Sequence, residues 1–333
     1  MKRLMGVLVL LAALMPAAAT HAEVSEIRVA QQYGTSVLPL IVMEKHQLIE
    51  KQARAAGLGE LKVRWTRFAG PAAMNDALLS GNLDISANGA PALLLLWDKT
   101  HGTPREVKGL ASISTNPSTL VTRNPQVKTI RDLGESDRIA LPAVKIGLNA
   151  IILQMAAADS FGPDQWARLD PLTVTMAHPD ALAAMISGKG EVTAHFSQPP
   201  FATEEVKHGG RAILHASEVL GAGWDLVVCA PTRFHDSNPR TAAAFLAALR
   251  DAIDMINRDK RGAAETYLEL SGDKKSSVED ILALIEDPET DFTMTPKSVM
   301  RFGRFMHRIG TLKALPESWK DLFFPEIHQL PGG

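Results

Sequence analysis

Three histidines and one cysteine are the side chains of this sequence best suited to chemistry. An imidazole can ligate a metal or pass a proton, and a thiolate can attack or ligate. His178, His195 and His215 fall on separate predicted elements, at no spacing that a metal site uses, and read as helix-entry, loop or surface residues. His195 stands apart in position, because it closes a strand, where ligands of open α/β sheets bind. Cys229 lies in the apolar run Trp224-Asp225-Leu226-Val227-Val228-Cys229 and reads as a buried, inert thiol. A single cysteine can make neither an intrachain disulfide nor a thiolate metal cage. The sequence holds no nucleophile elbow, no phosphate-cradling loop ending in Lys-Ser or Lys-Thr, no dinucleotide fingerprint and no zinc-binding helix with paired histidines. The expectation is a protein that is not an enzyme and that carries no metal and no cofactor.

Composition narrows the partner. The chain has 333 residues, 46% apolar and 22% charged, which is enough for two domains with cores of their own. Lys and Arg total 35 against 37 for Asp and Glu, so charge offers no reason to expect nucleic acid or an anionic membrane. A small-molecule solute is the expected ligand. The chain opens with Met1-Lys2-Arg3, an apolar run from Leu4 to Met15, and small residues ending at Ala22. That pattern predicts a secretory signal, residues 1–22, cut after Ala22. The competing reading is a membrane anchor, but a run of about 12 apolar residues falls short of the roughly 20 that span a bilayer. No cysteine follows the run to carry a lipid, and no later segment reads as a transmembrane helix, so a periplasmic, monomeric protein is expected.

The remaining chain alternates short strands with helices, the pattern of α/β layers with mostly parallel sheets. Strands are predicted at Ile27–Val29, Leu61–Trp65, Leu83–Ala87, Thr119–Thr122, Arg138–Leu141, Leu172–Met176 and Trp224–Cys229. Helices are predicted over Val37–Gln47, from Pro71 to a left-handed stop at Gly81, to about Trp97, over Leu148–Ser160 and over Asp180–Ser187. From Pro239 onward the chain reads as helical, with an apolar stripe at 245, 246, 249, 253 and 256. One register repeats: Leu79-Ser80-Gly81-Asn82-Leu83-Asp84-Ile85-Ser86-Ala87 aligns without a gap on Ile186-Ser187-Gly188-Lys189-Gly190-Glu191-Val192-Thr193-Ala194. Either helix-Gly-strand units merely look alike, or the chain builds two lobes of related design. No flexible linker separates halves, which favours one lobe inserted into the other.

The exported precursor, Ile27-Arg28-Val29-Ala30-Gln31-Gln32-Tyr33-Gly34, the run from Met74 to Ile85, and Asn124-Pro125-Gln126-Val127-Lys128-Thr129-Ile130-Arg131-Asp132-Leu133 together resemble the substrate-binding proteins of nitrate/sulfonate/taurine-type ABC importers. The resemblance covers nearly all of the chain after the signal. It implies the type II periplasmic-binding-protein fold: two α/β lobes, each a mostly parallel sheet flanked by helices, joined by two crossover strands. Lobe 1 would comprise residues 23–115 and 223–333, and lobe 2 residues 116–222, with crossovers near 113–116 and 222–226. The implied function is capture of a small polar or anionic solute by hinge closure and its delivery to a permease with an ATPase subunit. A second implied reading is an enzyme of thiamine-pyrimidine synthesis, which shares the fold and would need a reactive histidine, a cysteine-rich loop and a cytoplasmic location.

Site residues follow from that fold. Loops between strand ends and helix starts leave backbone N–H groups aimed at the cleft, which suits an anion or a strongly polar solute. The candidates are Gln32, Tyr33, Gly34 and Thr35, then Ala69 and Gly70, then Asn88 and Gly89, with Lys145, His195, Ser197 and Gln198 from the other lobe and Ser114 and Trp224 at the crossovers. Tyr33 and Trp224 read equally well as core residues. Where relatives place a hydroxyl pair after the strand at 138–141, this chain has Pro142-Ala143-Val144-Lys145-Ile146-Gly147, which casts doubt on the usual oxyanion pocket. Lys145 either replaces it with a charge or sits on the surface.

Overall fold

The structure is a computed structural model that describes residues 22–221 and 223–333. The expected signal segment lies outside the described residues except for Ala22.

Ten strands form two five-stranded sheets. The first contains β1 (Glu26–Gln31), β2 (Lys62–Arg67), β3 (Ile85–Gly89), β4 (Val107–Asn116) and β10 (Trp224–Pro231), in the order β2-β1-β3-β10-β4. The second contains β5 (Thr119–Thr122), β6 (Ile139–Leu141), β7 (Thr173–Thr175), β8 (Ala194–Ser197) and β9 (Arg211–His215), in the order β7-β6-β8-β5-β9. In the first, β1 pairs in parallel with β2 and β3, while β10 runs antiparallel to β3 and β4. In the second, β6 pairs in parallel with β7 and β8, while β5 runs antiparallel to β8 and β9. The two sheets share one plan. The repeated register therefore lands on equivalent places: it leads into β3, third in its sheet, and into β8, third in the other.

Helices fill the layers. They are α1 (Leu38–His46), α2 (Leu48–Ala55), α3 (Pro71–Leu79), α4 (Ala90–Thr100), α5 (Leu148–Phe161), α6 (His178–Ser187), α7 (Phe201–Lys207), α8 (Ala216–Leu220), α9 (Thr232–Ser237), α10 (Pro239–Arg258), α11 (Lys260–Ser271), α12 (Val278–Ile285) and α13 (Val299–Arg308). The stripe read from sequence is the buried face of α10: Phe245, Leu246, Leu249, Ile253 and Ile256 all turn inward. Gly81 takes the left-handed conformation, φ +76°, just beyond α3. Among the described residues no helix is long and apolar enough to cross a membrane.

Two expectations need correction. The C-terminal third is not wholly helical: α12 and α13 are separated by irregular chain, and the residues beyond Arg308 hold only short 3-10 turns. Pro288, Pro296, Pro316 and Pro325 interrupt these stretches, because proline lacks the donor a helix interior needs. Strand β4 was read only as a crossover at its end, yet it runs for ten residues. Its Gly109 leaves room for the Phe323 ring, which a Cβ would approach to 2.4 Å.

The chain leaves the first sheet after Asn116 and enters the second at Thr119; it returns between Leu220 and Trp224. At the return, the buried Asp225 carboxylate accepts from the backbone N–H groups of Lys297 (2.9 Å) and Ser298 (2.5 Å) and from the Ser298 hydroxyl (2.7 Å). The start of α13 is thereby pinned to the crossover strand. Replacing Asp225 with Ala strands these donors in a dry interior, so urea unfolding should show a loss of about 3 kcal/mol. A loss within experimental error would show that the contact is dispensable.

Candidate functional site

The two sheets meet along a seam made by the loops that follow β1, β2, β3, β6, β7 and β8. Gln198 Nε2 donates to the Tyr33 carbonyl at 2.7 Å, and the Thr35 backbone N–H donates to the Pro199 carbonyl at 3.2 Å. Gly34 makes this approach possible: its φ is +105°, and a Cβ there would lie 2.7 Å from Gln198 Nε2. Gly70 and Gly89 serve the same end, since a Cβ at each would meet the Pro142 carbonyl oxygen at 2.8 Å or the Leu148 Cβ at 3.0 Å. All three glycines therefore mark close approach of one lobe to the other.

Two cavities flank the seam and share Gln32. The inner one, about 30 Å³, is bounded by Gln32, Ser36, Gly89, Asn149, His178 and Trp224, and holds little more than a water. Pro71, Ala92, Leu148 and His178, which stand in the first turns of α3, α4, α5 and α6, all reach its wall. None of these four helices has a side-chain cap. Their unpaired N–H groups and dipoles converge on one spot, which favours an anion or a hydrogen-bond acceptor.

The outer cavity, about 360 Å³, has the size of a small-solute pocket. Tyr33, Phe201 and Tyr267 supply an apolar lining, with Arg67, Lys274 and Lys275 around it. The Arg67 guanidinium sits 5.5 Å from the Tyr33 ring centroid and donates to the Ser271 carbonyl at 3.0 Å, while its Nε has no partner among the described residues.

Behind the inner cavity lies a buried row of titratable groups. His178 Nδ1 is 2.8 Å from His195 Nε2, and His195 Nδ1 is 2.5 Å from Glu205 Oε1. The rings of His178 and Phe201 stack with centroids 5.3 Å apart, which fixes the outer end of the row. Burial lowers the basicity of both imidazoles and pushes the Glu205 carboxyl up to about 9, against a small opposing effect of the neighbouring Ser197 hydroxyl. Among the described residues no group of His, Cys, Asp or Glu could hold a metal ion.

The residues predicted from sequence divide clearly. Gln32, Gly89, Gln198 and Trp224 line the inner cavity, and Gln32, Tyr33 and Gly34 line the outer one. Thr35 lies buried in the seam itself, and Gly70 abuts Pro142 across it. Trp224 also donates its indole N–H to the Pro117 carbonyl at 3.2 Å. Other candidates stand further back. Ser114 donates to the Ser36 carbonyl at 2.8 Å, Asn88 donates to Ser86, and Ser197 faces Glu205. His195 is wholly buried one layer behind the wall, where it meets His178; the separate elements that carried these two histidines in the sequence are brought into contact by the fold. Ala69 and Lys145 are exposed and line neither of the two cavities. Asn149, Arg67 and Tyr267 escaped the sequence reading, and His178, read there as a helix-entry, loop or surface residue, is a buried residue at the start of α6 that lines the inner cavity. His178 carried one signal, its place before Pro179 at a helix start.

The NMT1-like family profile matches residues 20–270, three quarters of the sequence. The chain belongs to the NMT1-like family. Among solved structures, it is similar to the alkanesulfonate-binding protein of Xanthomonas axonopodis pv. citri bound to MOPS, at 20% identity and a TM-score of 0.67, over 89% of this chain and 96% of that one. It is also similar to the periplasmic nitrate-binding protein of Synechocystis PCC 6803, at 18% identity and a TM-score of 0.69, over 88% and 83%. The periplasmic aliphatic sulphonate-binding protein of Escherichia coli matches at 17% identity and a TM-score of 0.65, over 90% and 99%. No curated protein matches. This NMT1-like chain thus has the two-lobed fold of periplasmic binding proteins.

The buried carboxyl makes the stability of this NMT1-like protein depend on pH. The two histidines are neutral in the folded chain and titrate around 6.5 in the unfolded one, and because wild type and variant both carry them they drop out of a comparison between the two. Glu205 keeps a proton in the folded state up to about 9 that the unfolded chain releases near 4.5, so its contribution falls as pH rises through that window. One group changes stability by at most about 1.4 kcal/mol per pH unit. Unfolding of Glu205→Gln, which cannot ionise, should gain on the wild type steadily between about pH 6.5 and about 9. A difference that stays flat across this window would refute the assignment of a buried, protonated carboxyl.

Proposed function

We propose that this protein is the extracytoplasmic solute-binding component of an ABC importer. It captures a small polar or anionic solute, of the sulfonate, nitrate, taurine or heterocyclic kind, between lobe 1 (residues 23–115 and 223–333) and lobe 2 (residues 116–222), and presents it closed to a permease with an ATPase subunit. The observation that carries this reading is the convergence of four uncapped helix starts, two from each lobe, on the cavity at the seam. Each such end contributes up to about 2 kcal/mol to an anion when partly buried. Micromolar binding needs about 8 kcal/mol, so both lobes must act together, and closure must exclude water. The family membership and the periplasmic binding proteins of the same fold support export and transport. The thiamine-pyrimidine enzyme reading asks for a cysteine-rich loop, whereas this chain holds one cysteine, buried in β10.

Solution scattering and thermal denaturation against sulfonates, carboxylates, nitrogen oxides and heterocycles should find a solute that both compacts and stabilises the protein. Gly34→Ala strains the backbone at positive φ and pushes into Gln198, so calorimetric affinity for that solute should fall about 5- to 100-fold. Absence of compaction across the whole panel would defeat the proposal.

A further inference from the structure

The row Glu205–His195–His178 is not an ordinary part of a helix-dipole anion site. Three titratable groups are strung end to end, with relative exposures of 2%, 0% and 6%, from the back of lobe 2 to the wall of the inner cavity. Each imidazole has one nitrogen facing inward along the row and one facing outward. The last outward nitrogen, His178 Nε2, has no hydrogen-bond partner among the described residues, and His178 lines the cavity.

Proton counting fixes what that nitrogen can do. With three protons on the row, whichever of Glu205 Oε1 and His195 Nδ1 holds the shared one, His195 Nε2–H donates to His178 Nδ1, and His178 Nε2 carries a hydrogen into the cavity. Remove one proton and the row must invert. The shared proton then stays on His195 Nδ1 and is donated to the carboxylate, the proton on His195 Nε2 passes to His178 Nδ1, and the proton on His178 Nε2 leaves to cavity water. His178 Nε2 is then a bare acceptor. A single proton therefore sets the polarity of the cavity wall.

We propose that Glu205, His195 and His178 form a proton relay that, near neutral pH, presents one N–H donor from lobe 2 to an acceptor atom of the solute, and withdraws that donor when the row loses a proton. His178 is then a specificity-determining residue for acceptor-bearing solutes such as anionic oxygens, while His195 and Glu205 are positioning residues that act through it. The second part rests on the solute-capture reading above; the relay itself does not. Burial of Glu205 keeps the third proton in place at neutral pH and predicts inversion as pH approaches about 9. The charged and titratable groups on the elements packed around the row are Asp180 of α6, Glu204 and Lys207 of α7, and Arg211 and His215 of β9. Asp180, Lys207, Arg211 and His215 are exposed, and Glu204 accepts from Lys207 at 2.9 Å. Strands β5, β6 and β7 bring no charged residue.

Histidine-selective ¹⁵N labelling of the full protein reads the tautomer of each ring directly. In the wild type, His178 and His195 should both carry a hydrogen on Nε2 near neutral pH and should change together to Nδ1–H as pH rises through about 9. In Glu205→Gln, the amide can donate to His195 Nδ1 at every pH, so both rings should stay Nε2–H throughout. His178 found as Nδ1–H or imidazolium at neutral pH, His195 found there without a hydrogen on Nε2, rings that titrate independently, or a Glu205→Gln protein that still inverts, would overturn the relay. Methanesulfonate, nitrate and acetate serve as acceptor probes. A probe that binds should move the His178 Nε2 resonance, and His178→Phe, which keeps the stack on Phe201, should weaken it about 10- to 100-fold. If some other solute compacts the protein without moving that resonance, the donor role fails while solute capture stands; if no solute compacts it, solute capture fails and the tautomers still decide the relay.

Discussion

Everything at the seam depends on the backbone around Gly34 coming within hydrogen-bond reach of Gln198 and Pro199 from the opposite lobe. The Thr35 N–H meets the Pro199 carbonyl, and the Gln198 amide meets the Tyr33 carbonyl, at 3.2 and 2.7 Å. Neither contact tolerates a side chain in the way, which is why Gly34 stands between them at a conformation other residues adopt only with strain. Beside these bonds the first turns of α3, α4, α5 and α6 reach the wall of one cavity. The electrostatic character of the cavity is thus a by-product of the same approach that shapes it.

The two sheets reach this arrangement by repeating one plan. In each, the third strand follows a helix that stops at glycine, and an antiparallel strand comes fourth. The strand-end loops of both sheets are consequently equivalent, and inserting one unit into the other turns the two sets toward each other. The crossover at Trp224–Asp225 is held against α13 by a buried carboxylate, so the chain is anchored where it returns from the second sheet to the first.

Polarity inside the cleft comes from two sources of different reach. Helix dipoles provide a diffuse preference for negative charge that does not change with pH. The Glu205–His195–His178 row adds a single directed group, held in a dry environment where burial overrides the usual ionisation of carboxyl and imidazole. The outer cavity, with its tyrosines and Phe201 beside Arg67, offers apolar surface next to a cation.

Short-range pattern was enough for most elements. Alternation in Leu61–Trp65, the stripe on α10 and the glycine stop after α3 all express local rules of side-chain direction and backbone freedom, and so could be read from neighbours in the chain. Strand β4 was harder, because Gly109-Leu110-Ala111-Ser112 is strand only by virtue of β10 beside it and Phe323 against it. For the site, the loops carrying Gln32, Gly34, Gly89 and Gln198 were legible, since strand ends and helix starts announce themselves locally. What the linear text could not hold was partnership: His178 lies 17 residues from His195, Arg67 lies 200 from Tyr267 in the lining of one cavity, and Asp225 over 70 from Ser298. Sequence by itself determined which segments fold and where their ends lie, because those depend on residues a few positions apart. Tertiary structure alone decided which buried groups meet and share a proton, because that depends on how two lobes pack across space.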